Sequence, residues 1–148
     1  MAKPLLLLAP LGGPLLPIEQ VPDPVFSGKL VGEGVSIDPE TSCLRAPCDA
    51  QVLQVHSAGH AVNLLSDGGV EVMIHIGLDT VALKGEGFQP RVRAGDRVRA
   101  GEPLIEFAAD YVATRAASLL TQVVVPASER VASVVARSGR VQAGRVAT

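Results

Sequence analysis

An all-β fold, an antiparallel β-sandwich or barrel with one or two short helices, is predicted for this chain from three observations. Residues 70–76 alternate apolar and polar with a period of two, the signature of a half-buried strand. Fifteen Gly and eleven Pro are spread along all 148 residues and punctuate the chain every few positions, which suits many short strands joined by tight turns. Apolar residues make up 47% of the chain but are mostly Val, Leu and Ala, with no Trp, one Tyr and three Phe, so strands with small branched packing are favoured over a helical bundle. The length suits a single domain, residues 1–148, large enough to enclose a core without staples.

Taken in chain order, residues 7–16 are echoed by residues 43–52, each reading as strand, Ala-Pro turn, strand. Residues 92–101 are echoed by residues 138–144, each placing a Val between two Gly-bearing turns. Two copies are too few for a solenoid and suggest a duplicated β-motif closing on itself. Strands are predicted at residues 50–55, 61–65, 70–76, 103–107 and 122–125. In the third of these, Val70, Val72, Ile74 and Ile76 share one face, and Glu71, Met73 and His75 share the other. Ser66-Asp67-Gly68-Gly69 makes a hairpin turn, because Asp-Gly tolerates the positive φ such turns need. Helical register is visible at residues 110–119, through Val112, Ala116 and Leu119, and at residues 127–136, opened by Ser128 as a cap.

Several function classes are disfavoured. A formal charge of −2 without a Lys/Arg block gives nucleic acid no electrostatic grip. The apolar run after Pro4 ends at Pro10, too short for a signal-peptide core, and no stretch approaches the roughly 20 apolar residues that span a bilayer. A cytoplasmic, monomeric protein is expected. Cys43 and Cys48 could pair with each other, but in a reducing compartment two thiols are expected.

His60 lies six residues before Ser66 and His75 six after Gly69, so counting outward from the turn sets the imidazoles almost opposite each other. Directly opposed side chains sit about 4.5 to 5.5 Å apart at Cβ. Such a pair is a reactive couple, a metal site, or two hydrogen-bonded histidines without a task. A neutral imidazole nitrogen is a nucleophile near neutral pH. His75 could therefore take a phosphoryl group and surrender it, with His60 donating to the phosphoryl oxygens, because phosphoryl transfer depends mainly on positioning and charge stabilisation. Val62, Ile76, Leu78 and Val81 would keep water from the adduct.

The segment from Gly69 to Phe88, GVEVMIHIGLDTVALKGEGF, resembles the phosphorylation-site segment of glucose-type enzyme IIA proteins of the bacterial sugar phosphotransferase system. Gly59-His60-Ala61, Ser66-Asp67-Gly68 and the fifteen-residue spacing of the histidines also match, and so do stretches at residues 21–26, 31–35, 95–98 and 104–107, so the resemblance covers nearly the whole chain. It implies a sandwich of the duplicated hybrid motif type with a shallow apolar depression around both histidines. It also implies that His75 accepts phosphate from HPr and passes it to a cysteine of a sugar-specific IIB domain, while His60 stabilises the phosphoryl group. The function expected is that of a phosphoryl carrier in sugar uptake, linked to a membrane IIC permease without being membrane-inserted itself. By position, Phe26, Leu30, Val31, Val62 and Val81 would line the partner-binding depression, and Asp23 and Asp79 would meet partner arginines unless they are only turn caps. No cofactor is required; His60 and His75 could hold an accessory Zn2+ together with a partner's carboxylate.

The chain also departs from that pattern. Ala58 stands where the family often has a Thr that hydrogen-bonds an active-site imidazole, with Ser57 beside it, and His56 stands where an aromatic is common and reads as a rim residue. The charged amphipathic N-terminal extension of some members is missing, and the chain stops at Thr148, short of a last strand that many members possess. A domain from a longer fusion with HPr and enzyme I, or a naturally short protein, would account for that. Three rival readings exist. A lipoyl or biotinyl carrier needs a lysine at a symmetrical hairpin tip, which Lys3, Lys29 and Lys84 do not occupy. A zinc peptidase of the duplicated hybrid motif class needs three protein ligands, and no His-x-His pair occurs. The third is an interaction module without transfer chemistry.

Overall fold

The computed structural model describes residues 5–126, 128, 131, 134 and 139–142. The chain runs through β1 (Gly13–Pro17), α1 (Pro24–Ser27), β2 (Glu33–Ile37), β3 (Cys43–Arg45), β4 (Ala50–Val55), β5 (Ala61–Ser66) and β6 (Glu71–His75). It continues through β7 (Phe88–Pro90), β8 (Arg97–Val98), β9 (Pro103–Phe107), α2 (Ala109–Arg115), β10 (Thr121–Val125) and β11 (Arg140–Val141), with short 3-10 turns at Ile18–Gln20 and Thr80–Leu83. One sheet has the order β11-β1-β2-β10-β6-β5-β4-β8 and a second the order β3-β9-β7. The pairings are antiparallel, so the chain forms the predicted all-β sandwich, with two short α-helices among the described residues where one or two were expected.

The main core shows why the period-two segments become strands. Val72 and Ile74 of β6, Val62 and Leu64 of β5, and Val123 of β10 turn one face inward, where they join Leu44, Leu104, Ile105 and Phe107. Burying a branched side chain of this size contributes about 1.5 to 3 kcal/mol before chain entropy is counted. The opposite face of β6 and β10 carries a smaller cluster: Met73 and Val124, paired across the strands, pack with Ile18, Val21, Phe26, Val31 and Leu78. That second cluster is where α1 docks. Asp23 starts the helix by accepting the Val25 N–H at 3.0 Å, and Pro24 occupies the first turn, where its missing N–H costs nothing.

Two sequence expectations require correction. The predicted helix at residues 110–119 ends at Arg115: Ala116 is extended (ψ 163°), and the strand-like bonds Leu78 N–H to Ser118 and Ala117 N–H to Leu78 take the following backbone away from the helix. Residues 7–12, expected to repeat the strand of residues 43–48, form no strand, and β1 begins only at Gly13. The two echoed segments do hydrogen-bond each other, Leu8 N–H to Pro47 and Arg45 N–H to Pro10. Most of the predicted helix at residues 127–136 and of the echo at residues 138–144 lies outside the described residues. Cys43 and Cys48 are both free thiols, Cys48 buried with its pKa raised to about 11, first by desolvation.

Candidate functional site

His75 is the last residue of β6 and points out of the core face, as the alternation predicts. Its direct neighbours are Ala61 on β5 and Gln122 on β10. Beyond the strand the chain turns at Gly77, whose φ is +73°. A Cβ there would lie 2.5 Å from Thr80 Cγ2 and 2.7 Å from the Ser118 carbonyl, so only glycine fits. The turn aims the Gly77 carbonyl back at the imidazole, 2.8 Å from His75 Nδ1. A carbonyl can only accept, so Nδ1 carries the proton and Nε2 keeps its lone pair.

His60 reaches the same place by a route that register alone does not give. Ala61, not His60, pairs with His75, and the His60 carbonyl accepts the N–H of Ile76. Continuing the strand pleat through His60 would put the two histidines on opposite faces, since one residue of shift reverses every side chain. His60 instead precedes β5, after Gly59 with φ +79°, and this turn brings its ring to 4.7 Å from the His75 ring at 82°, edge to face. The expectation that the imidazoles face each other directly across the ladder is therefore corrected: they meet through a bend.

Around the pair are more rings. His56, whose N–H bonds to the Ala61 carbonyl, lays its ring 4.5 Å from that of His60. Phe26 lies 5.3 Å from the His75 ring and Phe88 6.3 Å from that of His60. His60 is only 2% exposed and its Nδ1 is buried without a hydrogen-bond partner. An unsatisfied buried N–H costs more than a bare lone pair, which favours the tautomer carrying its proton on Nε2. Burial, then the neighbouring His75 and His56 imidazoles, holds the His60 pKa down at about 4. The His75 pKa is also lowered, chiefly by burial, while the Gly77 carbonyl and then the Asp23 carboxylate pull it back up. At neutral pH the arrangement is a neutral nucleophilic nitrogen on His75 beside a neutral donor on His60.

The predicted partner-binding residues divide. Leu30 is 77% and Val81 52% exposed, and Asp79 is exposed at a left-handed φ of +59°, with no capping bond from its side chain. Asp23 does cap α1 and is also close enough to act on His75. Val31 is half-buried against the second cluster. Phe26 is 5% exposed and serves as a wall behind His75 more than as surface. Val62 is wrongly placed by the sequence reading: it pairs with Ile74, points into the main core and has no exposure, so it lines no depression. Sequence reasoning gave no role to the buried polar pair beside His75. Gln122 Nε2 donates to the Leu120 carbonyl at 2.7 Å and to Ser36 Oγ at 3.4 Å, while its Oε1 is unpartnered. The available signal was a Ser and a Gln each beside the apolar run of its strand, in EGVSI and TQVVV.

Two imidazoles fall short of a catalytic zinc, which takes three protein ligands, and among the described residues no group of three or more His, Cys, Asp or Glu side chains is placed to hold a metal. The zinc-peptidase reading finds no support in this donor set. A sandwich presenting a bare imidazole nitrogen between apolar walls fits a protein that holds a phosphoryl group, and the class is that of the phosphoryl carriers. Residues 5–131 match the family described as phosphoenolpyruvate-dependent sugar phosphotransferase system, EIIA 1, and the chain belongs to that family of phosphotransferases.

The individual relatives agree. Over 120 residues the chain is 46% identical to the PTS system glucose-specific EIIA component of Halalkalibacterium halodurans, covering 81% of this chain and 69% of that one. Over 119 residues it is 45% identical to the PTS system mannose-specific EIIBCA component of Corynebacterium glutamicum, covering 80% of this chain but spanning only 17% of that much longer protein. The solved glucose permease IIA of Mycoplasma capricolum superimposes with a TM-score of 0.89 at 30% identity, over 97% of this chain and 93% of that one.

Proposed function

We propose that His75 is the phosphoryl acceptor and that His60 stabilises the transferred group. The observation that carries this is the hydrogen bond from His75 Nδ1 to the Gly77 carbonyl, which leaves Nε2 as the free nucleophile. In the first step the Nε2 lone pair attacks the phosphorus of a donor phosphohistidine, that of HPr; the new N–P bond forms as the donor's breaks, the donor ring, protonated on its other nitrogen, leaves as a neutral imidazole, and the positive charge passes to the phosphorylated His75 ring, whose Nδ1–H stays on the Gly77 carbonyl. No proton has to be removed from His75. The His60 Nε2–H donates to a phosphoryl oxygen, where a fixed dipole in a water-poor site acts with little reorganisation. In the second step the thiolate of a IIB cysteine takes the phosphoryl group and His75 Nε2 regains its lone pair.

The EIIBCA architecture of the Corynebacterium relative supports a IIB acceptor, and through it a link to a membrane IIC permease. The protein would act in the cytoplasm; among the described residues no helix is long and apolar enough to cross a membrane. Exposed Leu30 and Val81, with Asp23 and Asp79 beside them in the sequence motif, would meet the partners, the acids pairing with arginines. A Zn2+ on His60 and His75 would be accessory and complete its ligand set from a partner.

Labelling tests this reading. With phosphoenolpyruvate, enzyme I and HPr, the wild-type chain should gain acid-labile phosphate on His75. His75→Gln should gain none, whereas His60→Gln should accept phosphate and pass it on poorly. Undiminished labelling of His75→Gln would falsify the assignment.

A further inference from the structure

We infer that His56 is a positioning residue for His60, taking over through ring contact the orienting role that a hydrogen bond at His60 Nδ1 would otherwise have. The inference rests on the phosphoryl-carrier reading. His60 Nδ1 is buried and has no partner. Two residues earlier, at the position where the family often has a Thr, stands the methyl group of Ala58. An imidazole that must aim one N–H at a phosphoryl oxygen needs its χ2 fixed, and in this site no hydrogen bond to Nδ1 fixes it.

Three rings do so instead. His75 at 4.7 Å and His56 at 4.5 Å flank the His60 ring, with interplanar angles of 82° and 59°, and Phe88 stands at 6.3 Å. Tilted ring pairs at these separations are attractive and directional. His75 and Phe88 belong to β6 and β7, but His56 is exposed and would rotate freely if it were not tied down. It is tied down twice. Its Nδ1 accepts the Ala58 N–H at 3.2 Å, and its backbone closes the turn to His60 through Gly59 N–H to His56 O at 2.7 Å and His56 N–H to Ala61 O at 2.9 Å. The exposed histidine is thus a rigid face, and the backbone turn that holds it is the same one that delivers His60.

The experiment measures phosphoryl transfer from labelled protein to a IIB domain, together with 15N chemical shifts of the His60 ring. His56→Ala should accept phosphate on His75 normally but lose about tenfold in the onward transfer rate, in line with the cost of slight misplacement of a catalytic group. In the same variant the His60 nitrogens should show tautomer averaging absent from wild type. His56→Phe, which keeps a ring but not the Nδ1 acceptor that ties it to the Ala58 N–H, should recover transfer only in part. Adding Ala58→Thr to His56→Ala should restore both transfer and the single tautomer, by giving Nδ1 a hydroxyl partner. If His56→Ala transfers at the wild-type rate, or if the His60 nitrogens of that variant keep a single tautomer, the positioning role is wrong. Failure of wild type to be labelled at all would instead overturn the carrier reading on which it stands.

Discussion

Acid should weaken the fold through His60 specifically, and the size of the effect follows from its burial. The folded pKa of His60 is about 4 against 6.5 for a free imidazole. Between those values the unfolded chain binds a proton that the native ring refuses, so stability is full above pH 6.5 and is lost as pH falls toward 4. For a group with these two pKa values, the loss between pH 7 and pH 4.5 comes to about 2 kcal/mol. In a chain of this size that corresponds to roughly 5 °C or more in Tm. Carboxylates titrate in the same range, so the informative quantity is a difference. Urea unfolding of wild type and of His60→Gln at pH 7 and pH 4.5 should show the stability gap between them shifting by about 2 kcal/mol in favour of the variant at the lower pH. A gap that stays constant over that interval would mean that His60 is protonated as readily in the fold as out of it, and the buried neutral donor would have to be abandoned.

Other consequences are local. Gly77→Ala forces a Cβ to 2.5 Å from Thr80 Cγ2 at a positive φ, so it should cost roughly 2 kcal/mol and, by displacing the carbonyl that holds His75 Nδ1, slow labelling by about tenfold or more; wild-type labelling of a folded Gly77→Ala would show that the carbonyl is dispensable. Asp23→Asn preserves a capping side chain while removing a charge, so thermal stability should stay near wild type while the apparent affinity for phospho-HPr falls; a drop in Tm with unchanged affinity would make Asp23 a cap alone. Val62→Ala should cost about 2 kcal/mol of stability through a core cavity, whereas Leu30→Ala should leave stability within about 0.5 kcal/mol and weaken partner binding; the opposite pattern would place Val62 on the docking surface.

Much of this site was legible in the residues alone. The alternation through Val72, Ile74 and Ile76 put His75 on the outer face of a strand, and Ser66-Asp67-Gly68-Gly69 placed β5 beside β6, because a two-residue period and a positive-φ turn are local properties that each short segment carries in itself. The pairing of the histidines was legible in outcome but not in cause. Counting from the turn was off by one residue, and the error did not matter only because His60 lies outside the ladder, turned by Gly59. Val62, placed at the depression by its position in the motif, points inward because in the true register it pairs with Ile74 and not with Met73.

By itself, then, the amino-acid order determined the strand class, the hairpin and the nearness of the two imidazoles, since all of these depend on neighbours close along the chain. Which nitrogen of His75 is bare, why His60 has a buried Nδ1 with nothing to bond, and how His56 and Gln122 come to flank them were decided only in three dimensions. A proton's place on a ring is set by the few atoms within hydrogen-bonding reach, and for His75 that atom is the Gly77 carbonyl, aimed back by a turn whose glycine packs against Thr80 and Ser118.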